Sequence, residues 1–240
     1  MKTLILVFGA GTGIGRSIFE TIQLKKTESI NIGFSRRGLA FKNEFLPNQN
    51  HQFDLTRPTD FDHFEMVFNL EVEKLKANSK NDQDIQIIVY FAQGDGLFKP
   101  IEEIGQVDLN SHFQLNVFAS MKILQILSPA IRLATRSTLV FLSSTASKMG
   151  FANSSAYCAS KHAVSGLAKA IREEWKEYNV KVVNAYLGAV GTEIWDKRTD
   201  FAKKDMISVS DAGEFLASLV DLPNSLYLDE IYVTPKKGIL

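Results

Sequence analysis

Apolar residues gather along this chain in short continuous runs separated by longer stretches of helical period. Runs of strand length fall at Leu4 to Phe8, Ile30 to Phe34, Ile85 to Phe91, Leu139 to Leu142 and Val180 to Leu187. Most are continuous rather than alternating, the pattern of parallel strands covered on both faces. Between them, Ile14, Ile18 and Ile22 form one stripe of a helix from Ile14 to about Lys25. Phe64, Phe68 and Val72 recur four apart within Phe61 to Lys76, ahead of a polar loop from Asn78 to Asp84. Two long helices are expected later, from Ser111 to about Leu133 and from about Ser155 to Tyr178. Strand and helix in alternation predict right-handed crossovers and an α/β fold, a doubly wound parallel sheet with helices on both faces. No linker divides the 240 residues, so one domain spanning 1–240 is the economical organisation.

Composition narrows the function. The 27 basic residues cancel the 27 acidic ones, and the basic doublets are scattered rather than striped, so nothing forecasts a nucleic-acid surface. A single cysteine, Cys158, cannot form an internal disulfide and reads as buried filler. The histidines at 51, 63, 112 and 162 lack ligand spacing, so no metal site is expected. The apolar stretch after Met1-Lys2 is too short for a signal peptide, and no run approaches the roughly 20 residues that span a bilayer. A soluble cytoplasmic protein without membrane partners is the simplest reading.

The chemistry begins with Tyr157 and Lys161, four residues apart on one helix, which stacks a phenol beneath an ammonium. A nearby positive charge in a sheltered site lowers a phenol from its usual pKa of about 10 toward neutrality, so an acidic tyrosine is expected. Ser144 ends an apolar run thirteen residues earlier, with Ser143 as its neighbouring competitor. Near the amino terminus, Gly9-Ala-Gly-Thr-Gly-Ile-Gly15 follows a strand and opens a helix, so its glycines permit a tight turn and a phosphate close to backbone N–H groups. About 20 residues on, where a carboxylate would bind an adenosine ribose, the chain reads Phe34-Ser35-Arg36-Arg37. Arg36 suits a 2′-phosphate instead, which favours NADP(H).

Glycines, Asn116, Ser144, Tyr157 and Lys161 in this order resemble the compact form of the short-chain dehydrogenase/reductase family, from Leu4 to about Thr192. The resemblance implies a Rossmann-type sheet and hydride transfer between NADP(H) and a small or medium carbonyl or alcohol. In it, Tyr157 is the acid/base, Ser144 holds the substrate oxygen, Lys161 binds nicotinamide ribose, and Asn116 anchors a water beneath Lys161. It further implies cofactor contacts from Gly9, Thr12, Gly13, Ile14, Gly15, Ser35, Arg36, Asp54, Leu55, Gly94, Gly188, Val190 and Thr192, with Asp54 facing the adenine amine and Thr192 the carboxamide. Three places depart from the pattern. Phe8 replaces a threonine, Phe91-Ala-Gln-Gly94 replaces Asn-Asn-Ala-Gly, and Leu187 replaces a proline.

Candidate substrate walls are Phe98, Ala146, Phe151, Trp195, Phe201 and Met206, with Glu193 to Ser210 as a short lid carrying Lys197-Arg198 and Lys203-Lys204. The tail lacks the Asp-Gly-Gly ending of fatty-acid-type reductases, which argues against an acyl-carrier substrate. Excess apolar surface on the two later helices implies a homodimer or homotetramer. The alternative from another class is a non-catalytic NADP(H)-binding sensor or scaffold.

Overall fold

The computed structural model describes residues 2–37, 49–77, 85–196 and 202–238. Among the described residues seven strands form one sheet: β1 (Lys2–Phe8), β2 (Ile30–Ser35), β3 (Gln49–Gln52), β4 (Ile85–Phe91), β5 (Arg136–Ser144), β6 (Val180–Leu187) and β7 (Glu230–Val233). Every pairing is parallel and the spatial order is β3-β2-β1-β4-β5-β6-β7. The helices are α1 (Gly13–Lys25), α2 (Pro58–Ala77), α3 (Gln106–Phe113), α4 (Ala119–Leu133), α5 (Ser155–Glu174) and α6 (Val209–Ala217). None of the described helices is long and apolar enough to cross a membrane.

Two cores explain why the strands are apolar throughout. In β1, Leu4, Leu6 and Phe8 pack beneath α2, α4 and α5, while Ile5 and Val7 face α1 and α6. A period of two therefore buries every residue when both faces are covered. Phe8 stacks on Phe34 at 4.8 Å and meets Phe64 edge-on at 5.2 Å, so aromatic packing occupies the place where a threonine hydroxyl was expected.

The strand positions agree with the apolar runs, although β5 is longer, starting at Arg136. Two short strands, β3 and β7, and helix α6 have no counterpart among those runs. The expected helix from Ser111 instead starts at Gln106, on a polar turn whose exposed side chains carry no apolar stripe. It continues into α4 through a single π-helical segment, Gln114–Phe118. Helix α5 stops at Glu174 rather than Tyr178, because the chain turns there to enter β6 at Val180. On the expected Ser111–Leu133 helix, whose excess apolar surface implied a partner, Val117, Ile123, Leu124, Leu127 and Ile131 are core and Phe113 packs partly buried against it, and the exposed apolar residues nearby are Phe118, Met121 and Leu133.

Strand order reverses between β1 and β4, whose first crossovers leave in opposite directions. That switch point opens a crevice at the carboxyl ends of the strands. In the loop where Phe91-Ala-Gln-Gly94 departs from the resembling pattern, Gln93 donates from Nε2 to Ser120 Oγ on α4 at 2.7 Å.

Candidate functional site

A cleft of about 1100 Å³ lies along this crevice, from the end of β2 across the glycine turn to the start of α5. The glycine turn is built by close approach. Gly9 has φ +86°, and a Cβ there would sit 2.7 Å from the Gln93 nitrogen, while a Cβ on Gly15 would sit 2.3 Å from the Gly9 carbonyl oxygen. The N–H groups of Gly9 and Ala10 donate to the Phe34 carbonyl, which ties the turn to β2. Thr12 precedes α1 in extended conformation without capping it through its side chain, and no acidic residue occupies the first turn. The positive end of the helix therefore faces the cleft with uncapped N–H groups.

Gly9, Thr12, Gly13, Ile14, Ser35, Arg36, Asp54, Leu55, Gly94, Gly188, Val190 and Thr192 all line the cleft, whereas Gly15 sits behind the turn. Ser35 Oγ is buried without a hydrogen-bond partner next to the exposed Arg36. Asp54 does not stand free. Its carboxylate accepts from the Thr56 N–H at 3.0 Å and hydroxyl at 2.7 Å and pairs with Arg57, and these contacts outweigh burial and hold its pKa below the usual carboxylate value. Leu187 is buried in the core, and Gly188 beyond it is fixed by donation to the Val233 carbonyl, so a proline is not needed to set this turn.

Ser144, Tyr157 and Lys161 come together at the other end of the cleft. Ser144 closes β5 and its Oγ accepts from the Ala146 N–H at 3.1 Å, capping the short turn that follows. Ser143 points elsewhere, donating to Asn184 Oδ1, so Ser144 is the serine that meets the phenol. Tyr157 and Lys161 occupy successive turns of α5, with the ammonium 5.9 Å from the phenol ring centroid. Lys161 Nζ donates to the Leu142 carbonyl at 3.0 Å, and burial lowers its pKa to about 8. The expectation of an acidic tyrosine is corrected here. Burial pushes the Tyr157 phenol up, only partly offset by its hydrogen bond with Ser144. The phenol alone in this cleft keeps its proton.

Asn116 lies in the π-helical segment, where its side chain leaves the helix to pair with the chain after β4. Its Oδ1 accepts from the Asp95 N–H at 2.9 Å and its Nδ2 donates to the Asp95 carbonyl at 3.1 Å. A Cβ on Gly94 would sit 3.4 Å from Lys161 Nζ and 3.5 Å from Asn116 Oδ1, so the two residues meet across this glycine. Two neighbours were missed in the sequence. His112 is buried with Nε2 3.1 Å from Ser160 Oγ and 3.1 Å from Asn116 Nδ2, and Ser160 donates to the Tyr157 carbonyl at 2.8 Å. The four-residue spacings His112 to Asn116 and Tyr157 to Lys161 were visible, but only the packing of α3 on α5 brings them together.

Among the expected walls, Phe98, Ala146, Phe151 and Trp195 line the cleft. Phe98 packs 5.2 Å from Tyr157 and stacks on Trp195 at 6.0 Å. Met206 does not line it, being buried where Ile207 pairs with Val190. Phe201 and Lys197-Arg198 lie outside the described residues. Lys203 pairs with Asp196 on the surface.

A family model for short chain dehydrogenase matches residues 3–203. The NADPH-dependent 1-acyldihydroxyacetone phosphate reductase of Saccharomyces cerevisiae is 26% identical over 204 residues, 82% of this chain, which spans only 64% of that relative. The NADPH-dependent 3-dehydrocapnine reductase of Ornithobacterium rhinotracheale is 28% identical over 222 residues, 89% of this chain and 74% of its own. The sepiapterin reductase of Chlorobaculum tepidum is 24% identical over 245 residues, 99% of this chain and 98% of its own. An alcohol dehydrogenase from the archaeon Thermococcus sibiricus, complexed with 5-hydroxy-NADP, shares the fold with a TM-score of 0.80 over 100% of this chain and 99% of its own at 16% identity. The chain belongs to the short-chain dehydrogenase/reductase family of oxidoreductases.

Proposed function

We propose that this protein transfers hydride between NADP(H) and a small or medium carbonyl or alcohol substrate, as a carbonyl reductase or alcohol dehydrogenase, within one domain over residues 1–240. The observation that carries this reading is the Tyr157 phenol beside the Ser144 hydroxyl, one helical turn from Lys161, in the same cleft that the glycine turn opens.

The cleft's residues fit a dinucleotide. The glycines let the Gly9–Gly15 turn pack directly against the chain after β4 and against itself, and the uncapped start of α1 suits a pyrophosphate. The unpartnered Ser35 hydroxyl and the Arg36 guanidinium suit a 2′-phosphate, and two relatives bear NADPH-dependent names. When bound, the dinucleotide supplies the hydride. Lys161 and Thr192 are assigned to its nicotinamide end, and Asp54 and Leu55 to the adenine end.

Tyr157 then acts as an acid. Burial keeps the phenol protonated, so it can give its proton to a carbonyl oxygen, and Ser144 donates to that oxygen as negative charge develops. Lys161 stabilises the tyrosinate left behind. The aromatic Phe98–Trp195 pair lines the substrate end, consistent with an apolar portion of the substrate. Exposed Phe118 and Met121 on or next to α4 support a homodimer or homotetramer.

The test is a screen of aldehydes and ketones monitored by NADPH absorbance, with Tyr157→Phe as control. The native protein is expected to turn over at least one carbonyl, and the variant to lose turnover at least 100-fold while binding NADPH within a few-fold. Retention of most turnover in the variant would refute the mechanism. Tight NADPH binding with no turnover of any carbonyl or alcohol would make the protein a sensor or scaffold.

A further inference from the structure

His112 is a buried imidazole that the proposed acid/base steps do not use, yet its Nε2 lies 3.1 Å from Asn116 Nδ2 on the π-helical segment and 3.1 Å from Ser160 Oγ on α5. It stands one turn before Asn116, and its ring lies 6.3 Å from that of Tyr157. The orientation of the Asn116 amide is fixed independently of the histidine, because Oδ1 accepts from the Asp95 N–H and Nδ2 donates to the Asp95 carbonyl. The second Nδ2 hydrogen is therefore directed away from Asp95, toward His112 Nε2 and Ser160 Oγ, each 3.1 Å from Nδ2. Ser160 has a single proton and an acceptor for it in the Tyr157 carbonyl at 2.8 Å. A hydrogen on Nε2 would have to share the Ser160 oxygen with the Asn116 amide, setting two N–H donors 3.1 Å apart on one acceptor. With Nε2 as an acceptor, the contact becomes a hydrogen bond.

We propose that His112, neutral and with Nε2 as acceptor, is a positioning residue for the reducing site: by taking the second Asn116 amide hydrogen it holds the Asp95 turn and Gly94 against Lys161. The inference rests on the reading of Tyr157 and Lys161 as the acid/base set. It accounts for the shared wall of the two residues at Gly94, where Asn116 Oδ1 and Lys161 Nζ approach the same point. Protonation of His112 reverses the polarity of Nε2 and sets it against Asn116 Nδ2, so the network disengages in acid. The charged and titratable groups facing the ring are Asp95, Lys161 and the Tyr157 phenol. Burial and the Lys161 ammonium both oppose the imidazolium, and Asp95 favours it, with a net lowering of the His112 pKa from 6.5.

The experiment combines NMR of ¹⁵N-histidine-labelled protein with pH profiles of native, His112→Gln and His112→Leu proteins. At pH 7.5 the His112 signals, assigned by their loss in His112→Gln, are expected to report a neutral ring with hydrogen on Nδ1 and a hydrogen-bonded Nε2. For the best carbonyl from the screen, native kcat should fall in acid as His112 protonates. His112→Gln, whose amide oxygen accepts but does not titrate, should lose that acid limb and recover most of the kcat that His112→Leu loses. The loss in His112→Leu should be about 10-fold or more at pH 7.5, in kcat rather than in substrate KM. A hydrogen on Nε2 at pH 7.5, native kcat in His112→Leu, or an unchanged acid limb in His112→Gln would each overturn the proposal. If His112→Leu fails to fold by circular dichroism, the tautomer and the His112→Gln profile decide it. If no carbonyl is turned over, the reaction reading has failed, and NADPH fluorescence titration replaces kcat: native binding should weaken in acid and His112→Gln binding should not, and equal acid weakening in both overturns the inference.

Discussion

Lys161→Met tests the cost of keeping an ammonium inside this fold. Burial lowers the Lys161 pKa from 10.5 to about 8, and no opposing charge is among the causes. That displacement is equivalent to about 3 kcal/mol of native-state destabilisation while the lysine is charged. Methionine fills similar space without charge, but it leaves the Leu142 carbonyl without its lysine donor, a loss of about 1 kcal/mol. The variant should therefore be more stable than the native protein by about 2 kcal/mol at pH 7, or roughly 4–8 °C in Tm for a chain of this size. The sign follows from linkage. Below pH 8 both folded and unfolded lysine hold the proton and the penalty is complete. Between about 8 and 10.5 the folded lysine releases its proton first, so native stability rises relative to the variant and the gap closes. Thermal unfolding of both proteins without ligand, at pH 6, 7, 9 and 10, measures this. A variant less stable at pH 7, or a gap that does not narrow above pH 8, refutes the reasoning. The same variant should lose turnover, so that stability is given up for function at this position.

Two further predictions concern the cofactor and the assembly. Arg36→Ser should weaken NADPH binding roughly 10- to 100-fold while leaving NADH within a few-fold, because only NADPH offers a 2′-phosphate; equal native affinity for the two in fluorescence titrations would remove the assignment. Phe118→Glu combined with Met121→Glu should convert the proposed oligomer to smaller species in light scattering without changing the monomer's circular dichroism, because both side chains are about half exposed; a native monomer would end that reading.

The fold was legible wherever burial was complete. Each long strand is apolar throughout because both of its faces are covered, and α1 and α2 show their stripes because each covers one face. The edge strands were not legible for the opposite reason. β3 reads Gln-Asn-His-Gln and β7 Glu-Ile-Tyr-Val, four residues each with one neighbour, so little apolar pattern is required of them. The early start of α3 was missed because Gln106 to Ser111 is largely solvent-facing, and the π-helical segment was missed because a five-residue bulge leaves no periodic mark. Asn116 marked its position through chemistry instead, since its amide is spent on the Asp95 backbone rather than on its own helix.

At the site, spacing disclosed which groups meet but not the balance of their charges. A four-residue interval sets the Lys161 ammonium 5.9 Å from the centre of the Tyr157 ring, where a positive charge favours tyrosinate. The shelter that makes this attraction useful also removes both charges from water. Desolvation acts on Tyr157 and Lys161 together, raising the phenol and lowering the ammonium, so the pair favours a neutral tyrosine until something else enters the cleft. That direction suits the proposed reduction, in which the phenol would hold a proton to give. In the proposed oxidation the same tyrosine would first lose its proton, and the sheltered Lys161, charged below about pH 8, is the group we assign to lower that barrier. The direction of the shift thus depends on burial, which no spacing in a sequence reports.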